Sequence, residues 1–169
     1  MDAFAHCLEA YCGPFYHPLA DGIAVEGMRL VKDNLVTAYK DGTNIEARAH
    51  MMSSAAMGAT AFQKALGAIH ALSHPVGSLY DTHHGMTNAV VMPAVLEANR
   101  AAIETKIVRL AAYLGISGGF DGFLRFVRSL RAELKVPDTL AAFNVPRDDF
   151  ERIVSMSLED PTAGGNPVP

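Results

Sequence analysis

Cysteine, clusters of positive charge and long apolar runs are scarce in this 169-residue chain. Cys7 and Cys12 are its only cysteines. They are too few for a disulfide framework, so we expect a protein of the reducing cytoplasm. The formal net charge is −4 and no Lys/Arg cluster stands out, so we expect no nucleic-acid partner. Gly, Ser, His or charged residues interrupt every apolar run before it reaches membrane-spanning length, and no stretch resembles a signal peptide, so we expect no membrane partner.

The residues that are present favour a folded, helical domain. Half of them are hydrophobic and 19% are charged, which is typical of a globular protein. Neither the period-2 alternation of strands nor a G-x-G-x-x-G motif occurs, so we predict an all-α bundle of about seven helices without a dinucleotide-binding loop. Apolar periodicity predicts helices over about residues 1–11, 19–40, 45–66, 101–114, 120–134 and 147–158, in addition to those of the histidine-rich stretch described next, and a coil tail after them.

Four of the seven histidines lie within one short, apolar, glycine-punctuated stretch. They are His70, His74, His83 and His84, within residues 68–92. His70 and His74 are four residues apart, so they share one face of a helix. Pro75 follows, and the residue before a proline avoids helical geometry, which predicts a helix end near His74. Asp81 and Thr82 are good N-cap residues, so a new helix is predicted to start near the second histidine pair.

A carboxylate and a fifth histidine share a helical face far upstream of that stretch. Asp2 and His6 are also four residues apart. Added to two histidines from the later stretch, they make a set of three nitrogens and one oxygen. Such a set suits Fe²⁺, Zn²⁺, Co²⁺ or Ni²⁺ better than Ca²⁺ or Mg²⁺. Ligand sets rich in histidine and free of thiolates are also typical of catalytic zinc.

The stretches DAFAHCLEAY and GAIHALSHPVGSLYDTHHGMTNAVVMP resemble the iron-containing (group III) alcohol dehydrogenases, in their dehydroquinate synthase-like alpha domain. The motif of that family is D-x-x-x-H, then H-x-x-x-H-P-x-G, then H-G-x-x-N-A. The resemblance implies metal ligands at Asp2, His6, His70 and His84. It places His74 beside the metal and the nicotinamide, where it would relay a proton. It also implies Fe²⁺, or Zn²⁺ or another first-row divalent metal, with NAD(P) and a small alcohol or aldehyde substrate in the complete enzyme.

The resemblance covers nearly the whole chain, so we expect residues 1–169 to form a single helical metal-binding domain. The family places an α/β nucleotide-binding domain before this region and a further helix after it, and we expect both to be absent here. Such a chain would have no cofactor-binding residues and no activity of its own. We expect it to form a homo-oligomer, as a two-fold dimer, because Leu79, Tyr80 and Met86 would face water or a neighbour.

Other readings of the histidines depend on motifs that the sequence does not contain. A di-iron bundle needs Glu-x-x-His pairs, and a zinc protease needs H-E-x-x-H. The remaining alternative is a catalytically inactive helical interaction or scaffold fragment with incidental histidines. His17 and His50 are interpreted as structural or surface residues. His83 and His84 diverge by about 100° on a helix and rarely bind one ion, and the resemblance assigns the ligand role to His84.

Overall fold

The computed structural model describes residues 1–168, and eight α-helices make up most of that range. The helices are α1 (Asp2–Cys12), α2 (Pro18–Lys40), α3 (Ile45–Ala61), α4 (Ala68–Tyr80), α5 (His84–Ala98), α6 (Arg100–Tyr113), α7 (Gly119–Glu133) and α8 (Phe150–Glu159). Short 3₁₀ turns span Leu140–Phe143, Arg147–Asp149 and Ala163–Gly165. The described residues include no strand, which confirms the all-α prediction with one helix more than expected.

Helix α1 lies at the centre of the bundle, in contact with α2, α3, α5 and α6. Phe4, Cys7 and Leu8 are almost fully buried, and the ring of Phe4 stacks on that of Phe123 with centroids 6.2 Å apart. Burial of a large apolar side chain stabilises a fold by about 1.5–3 kcal/mol. Because α1 is fixed on several sides, the polar residues that it carries have a defined position.

Glycines in α2 and α3 let these helices approach α1 closely. A Cβ atom on Gly27 would lie 2.6 Å from the sulfur of Cys7, and one on Gly58 would lie 3.0 Å from Cβ of His6. Both distances are shorter than ordinary van der Waals contacts. The crossings therefore need glycine for its small size.

Helix α4 continues past its proline, so the predicted helix end near His74 is wrong. Pro75 lies inside the helix, which runs on to Tyr80. A proline in a helix interior costs about 3 kcal/mol because it removes a hydrogen bond and crowds the preceding turn. Ile69 and Val76 are buried on the same helix, and packing of this apolar face outweighs the local penalty.

The residues between α4 and α5 cap the helices differently from the prediction. Asp81 has φ 50°, and this left-handed residue closes α4 by donating its N–H to the carbonyl of Gly77. His83 is the N-cap of α5, and its Nδ1 accepts the N–H of Met86 at 3.3 Å. The N-cap role predicted for Asp81 and Thr82 is therefore wrong, although the predicted start of a helix near His84 is confirmed.

The last described residues pack against the start of α4 rather than forming a coil tail. Oδ1 of Asn166 accepts the N–H of Ala68 at 3.2 Å, and the amides of Asn166 and Asn99 exchange hydrogen bonds of 2.8 and 2.9 Å. A Cβ atom on Gly165 would lie 2.0 Å from the carbonyl oxygen of Leu66. Helix α3 also ends at Ala61, before the predicted residue 66, which leaves a short loop for this contact.

Helix α8 covers part of α4 that was expected to face water. Leu79 and Tyr80 are half-buried against a small apolar cluster that includes Ile153, and the hydroxyl of Tyr80 donates to Asp149. These two residues and Met86 are thus partly covered within the chain, and that their remaining exposed surface meets water or a neighbour stays a prediction. Between residues 1 and 168, no helix combines the length and the apolar character needed to cross a membrane.

Candidate metal centre

Three side chains from three helices point toward one place beside the end of α1. Oδ1 of Asp2 lies 3.3 Å from Nε2 of His84 and 3.7 Å from Nε2 of His70. One ligand atom from each of the three residues lies within 4.8 Å of the others. Donors around a tetrahedral first-row ion, at 2.0–2.2 Å from it, are about 3.4 Å apart. The spacing of these atoms therefore fits such an ion.

His6 lies beside this group of three. Its Nδ1 is 3.7 Å from Oδ2 of Asp2, and its ring stacks on that of His70 with centroids 4.7 Å apart and planes 11° apart. The ring of Phe62 packs against it from another side at 5.1 Å. His6 is thus adjacent to the converging atoms, on the side of the cluster formed by α1 and α3.

The glycine after His84 allows α1 and α5 to meet at the cluster. A Cβ atom on Gly85 would lie 3.1 Å from Cβ of Asp2. Any side chain at this position would crowd Asp2 and separate its carboxylate from His84. His84 is therefore a candidate ligand itself, and Gly85 leaves the space that the second candidate ligand, Asp2, needs.

The side-chain amide of Asn88 points at the centre of the cluster. Its Nδ2 lies 2.8 Å from Oδ1 of Asp2, 3.1 Å from Nε2 of His84 and 3.3 Å from Nε2 of His70. An amide nitrogen has two hydrogens, so it cannot satisfy three acceptors together. Its Oδ1 is buried and has no hydrogen-bond partner among the described residues. Three acceptors converging on one point form a donor set that fits a cation.

The pKa values of the clustered side chains are shifted by burial and by one another's charges. Burial alone would raise the pKa of Asp2, but its hydrogen bond with His70 and the charges of His6 and His84 hold it well below its usual range. Burial alone would lower the pKa of His70, but hydrogen bonds with Asp2 and Glu9 raise it to about 9. Burial lowers the pKa of His6 and that of His84, against the attraction of Asp2. The carboxylates of Asp2 and Glu9 thus favour positive charge at His70, the most buried imidazole of the cluster.

His74 lies beside the cluster, with one ring nitrogen already engaged. Its Nδ1 is 2.8 Å from Oδ2 of Asp160, and its ring stacks on that of His84 with centroids 5.5 Å apart. The N–H and the hydroxyl of Thr162 both donate to Asp160, which holds the carboxylate in place. Burial would raise the pKa of Asp160, but these hydrogen bonds and His74 keep it below its ordinary value. The catalytic role expected of His74 remains a prediction.

Three polar residues at the site were not predicted from the sequence. Glu9 follows Asp2 and His6 at helical spacing, and Asn88 lies four residues after His84, so their helix faces could have revealed them. Asp160 is 86 residues from its partner His74, and no local pattern connects two such positions.

The other histidines do not join the cluster. Nδ1 of His17 caps α2 by accepting the N–H of Ala20 at 3.2 Å. His50 lies on α3, partly exposed and 3.9 Å from Glu46. His83 caps α5, so only the second member of the adjacent pair faces the site. These positions agree with the structural or surface interpretation.

Comparison with known proteins identifies relatives over the full length of the chain. The family model described as "Fe-containing alcohol dehydrogenase family, C-terminal" matches residues 1–169. A 4-hydroxybutyrate dehydrogenase of Cupriavidus necator is 38% identical over 176 residues, covering 99% of this chain and 46% of that protein. Alcohol dehydrogenase 4 of Saccharomyces cerevisiae is 34% identical over 172 residues, with coverage of 99% and 45%.

A solved structure supports the same relationship. The crystal structure of a 1,3-propanediol oxidoreductase superimposes with a TM-score of 0.95 at 32% identity, covering 100% of this chain and 46% of that one. The chain therefore spans slightly less than half the length of these relatives. With the family model matched from end to end, the chain belongs to the iron-containing alcohol dehydrogenase family and corresponds to its C-terminal part.

Proposed function

We propose that Asp2, His6, His70 and His84 hold one divalent first-row metal ion in the catalytic domain of an NAD(P)-dependent alcohol dehydrogenase or aldehyde reductase. The observation that carries the proposal is the convergence of Asp2, His70 and His84 on one point, from α1, α4 and α5. Imidazole and carboxylate donors suit Fe²⁺ or Zn²⁺. Fe²⁺ is our first choice because of the family, and Zn²⁺ is the main competitor.

The residues around the proposed ion differ in burial, which defines a closed side and an open side of the site. A bound ion of this kind supplies a Lewis acid for the alcohol or aldehyde oxygen. His70 is 1% exposed and forms the floor of the site, whereas His84 and Asp2, at 41% and 42%, leave an open side for substrate. His74 stands at that side with Nδ1 held by Asp160, so its Nε2 is available to exchange a proton with the substrate hydroxyl.

The nicotinamide cofactor and most of the substrate pocket are proposed to involve the rest of the complete enzyme. The relatives are about twice as long as the matched region, which leaves room for a nucleotide-binding domain in them. Their names refer to 4-hydroxybutyrate and 1,3-propanediol, so a small alcohol is the substrate class that we propose. We further propose a cytoplasmic homo-oligomer.

Metal titration of the purified chain tests the site. After treatment with a chelator, calorimetry with Zn²⁺ and with Fe²⁺ under anaerobic conditions should show one ion per chain. Asp2→Ala and His84→Ala should weaken binding by more than the roughly 10- to 100-fold that loss of a partner behind a ligand costs, because each removes a donor atom. His50→Ala is the matched control, since it removes a histidine outside the cluster, and it should leave the affinity unchanged. At 100 times the dissociation constant, the ion should stabilise the fold by about 2.7 kcal/mol.

Three results would contradict the proposal. The first is a metal content near zero after titration, which would favour an inactive scaffold. The second is equal loss of binding in His50→Ala and His84→Ala, which would indicate adventitious binding to surface histidines. The third is a preference for Ca²⁺ or Mg²⁺ over the transition metals.

Calorimetry with NAD⁺ and NADP⁺ should show no binding to this chain, and micromolar binding would refute the proposed division between domains.

A further inference from the structure

Glu9 is a buried carboxylate that the proposed reaction does not use. It is 7% exposed and lies on the face of α1 that also carries Asp2 and His6. Burial of a carboxylate is strongly unfavourable unless other groups compensate its charge. Its Oε1 accepts the N–H of Ile69 at 2.6 Å, and its Oε2 lies 2.5 Å from Nδ1 of His70. Both partners belong to the first turn of α4.

The first partner makes Glu9 the N-terminal cap of a helix other than its own. The residue before α4 is Gly67, which has no side chain to cap the first N–H groups. Oε1 of Glu9 takes that role for Ile69, and Oδ1 of Asn166 takes it for Ala68. A Cβ atom on Gly67 would lie 3.1 Å from each of these oxygens. The positive end of the helix dipole stabilises the anion in this position.

The second partner determines which nitrogen of His70 carries a proton. An ionised carboxylate only accepts hydrogen bonds, so Nδ1 of His70 must be the donor. A neutral ring then has its lone pair on Nε2. That atom lies 3.7 Å from Oδ1 of Asp2 and 3.3 Å from Nδ2 of Asn88, at the centre of the cluster. The opposite tautomer would place a lone pair against Oε2 and turn an N–H toward the cluster.

We propose that Glu9 is a positioning residue of the metal centre, which clamps α1 to α4 and fixes His70 with Nε2 as its metal-binding atom. The inference rests on the proposed metal site. A carboxylate behind a ligating imidazole orients the ring and strengthens its donor nitrogen, and loss of such a partner costs 10- to 100-fold in metal affinity in other proteins. Because the same carboxylate caps α4, ring orientation and helix position are set together.

Glu9→Gln is the decisive variant, and Asn166→Ala is its matched control. Glutamine has the size of glutamate but lacks the charge that selects the donor nitrogen. Asn166→Ala removes a cap from the neighbouring N–H group of the same helix and does not touch His70. Both variants should lower the thermal stability of the chain. Only Glu9→Gln should also weaken Zn²⁺ binding, by about 10- to 100-fold, whereas the control should stay within about threefold of the unaltered chain.

Nitrogen-15 NMR of the Zn²⁺-loaded chain gives a readout that does not depend on a variant. With labelled histidine, His70 should show a protonated Nδ1 and a metal-bound Nε2. Zinc bound through Nδ1 would overturn the inference, as would equal losses of affinity in Glu9→Gln and Asn166→Ala, which would reduce Glu9 to a helix cap. No Zn²⁺ binding by the unaltered chain would instead refute the metal site itself, so the two failures are distinguishable.

Discussion

Two glycines of α2 provide a matched test of how closely the helices must pack. A Cβ atom on Gly27 would lie 2.6 Å from the sulfur of Cys7, whereas one on Gly22 would have nothing within 4 Å. Ordinary contacts are about 3.5–4 Å, so Gly27→Ala must displace the Cys7 sulfur within the core or move α1 and α2 apart, by about 1 Å. Both substitutions offer the same gain in helix propensity, of about 0.5–1 kcal/mol. The difference between the two variants in free energy of unfolding therefore measures the cost of crowding at the crossing of α1 and α2.

We expect the two variants to change stability in opposite directions. Overpacking of a core costs about 1–3 kcal/mol, so Gly27→Ala should lower the free energy of unfolding by about 1–2 kcal/mol after the propensity gain. Gly22→Ala should raise it by about 0.4–1 kcal/mol. Because α1 carries Asp2 and His6, Gly27→Ala should also weaken Zn²⁺ binding, and Gly22→Ala should not. Equilibrium unfolding in guanidinium chloride and metal titration measure the two effects.

A double-mutant cycle isolates the cause. With Cys7→Ala in place, the nearest remaining side-chain atoms to a Cβ on Gly27 are Cβ of Met57 at 3.5 Å and Cβ of residue 7 at 3.9 Å, which are ordinary contacts. Gly27→Ala should then be neutral or stabilising in that background. A Gly27→Ala variant that is as stable as Gly22→Ala while Cys7 is present would refute the reasoning, because the close crossing would then carry no cost.

Three further predictions concern other parts of the molecule. Burial raises the pKa of Cys7 and that of Cys12 to about 12, so a thiol reagent should label neither in the folded chain and both after unfolding; rapid labelling of either would contradict this. Asp160→Asn should leave the Zn²⁺ affinity of the chain unchanged but lower turnover of the complete enzyme about 10- to 100-fold, because it frees His74; unchanged turnover would exclude that role. The outer face of α8 exposes Leu158 at 77%, and we expect self-association that Leu158→Glu weakens; light scattering that finds a monomer at tens of micromolar would refute it.

The helices themselves could be predicted because their signals are local. Apolar spacing at three and four residues gave most of the elements, and glycine and proline marked most of the breaks. The predicted helix end near His74 is wrong because burial of Ile69 and Val76 outweighs the local penalty of about 3 kcal/mol at Pro75. The N-cap role predicted for Asp81 and Thr82 is wrong because a residue type that favours N-caps can also end a helix. Asp81 does so in a left-handed conformation, which aspartate adopts more readily than most residues.

The site could be predicted only as far as helix faces and family motifs reach. The spacing of Asp2 and His6 showed which side chains share a face, and the resemblance selected His84 over His83. Glu9 lies on the same face of α1, three residues after His6, so helical spacing could also have predicted its place beside the site. Asp160 and Asn166 were not, because each meets its partner only after the whole chain has folded back on itself.

The contact between Asn166 and Ala68 imposes an order on folding. The two residues are 98 positions apart, and closing a loop of that length costs about 4 kcal/mol of chain entropy, whereas single helices form within about a microsecond. The bundle can therefore gain most of its helices before Asn166 caps Ala68. Glu9 holds the neighbouring His70 from α1 independently of this contact. During synthesis, the proposed metal-binding side chains, all within residues 2–84, should then meet before the last described segment closes over the first turn of α4.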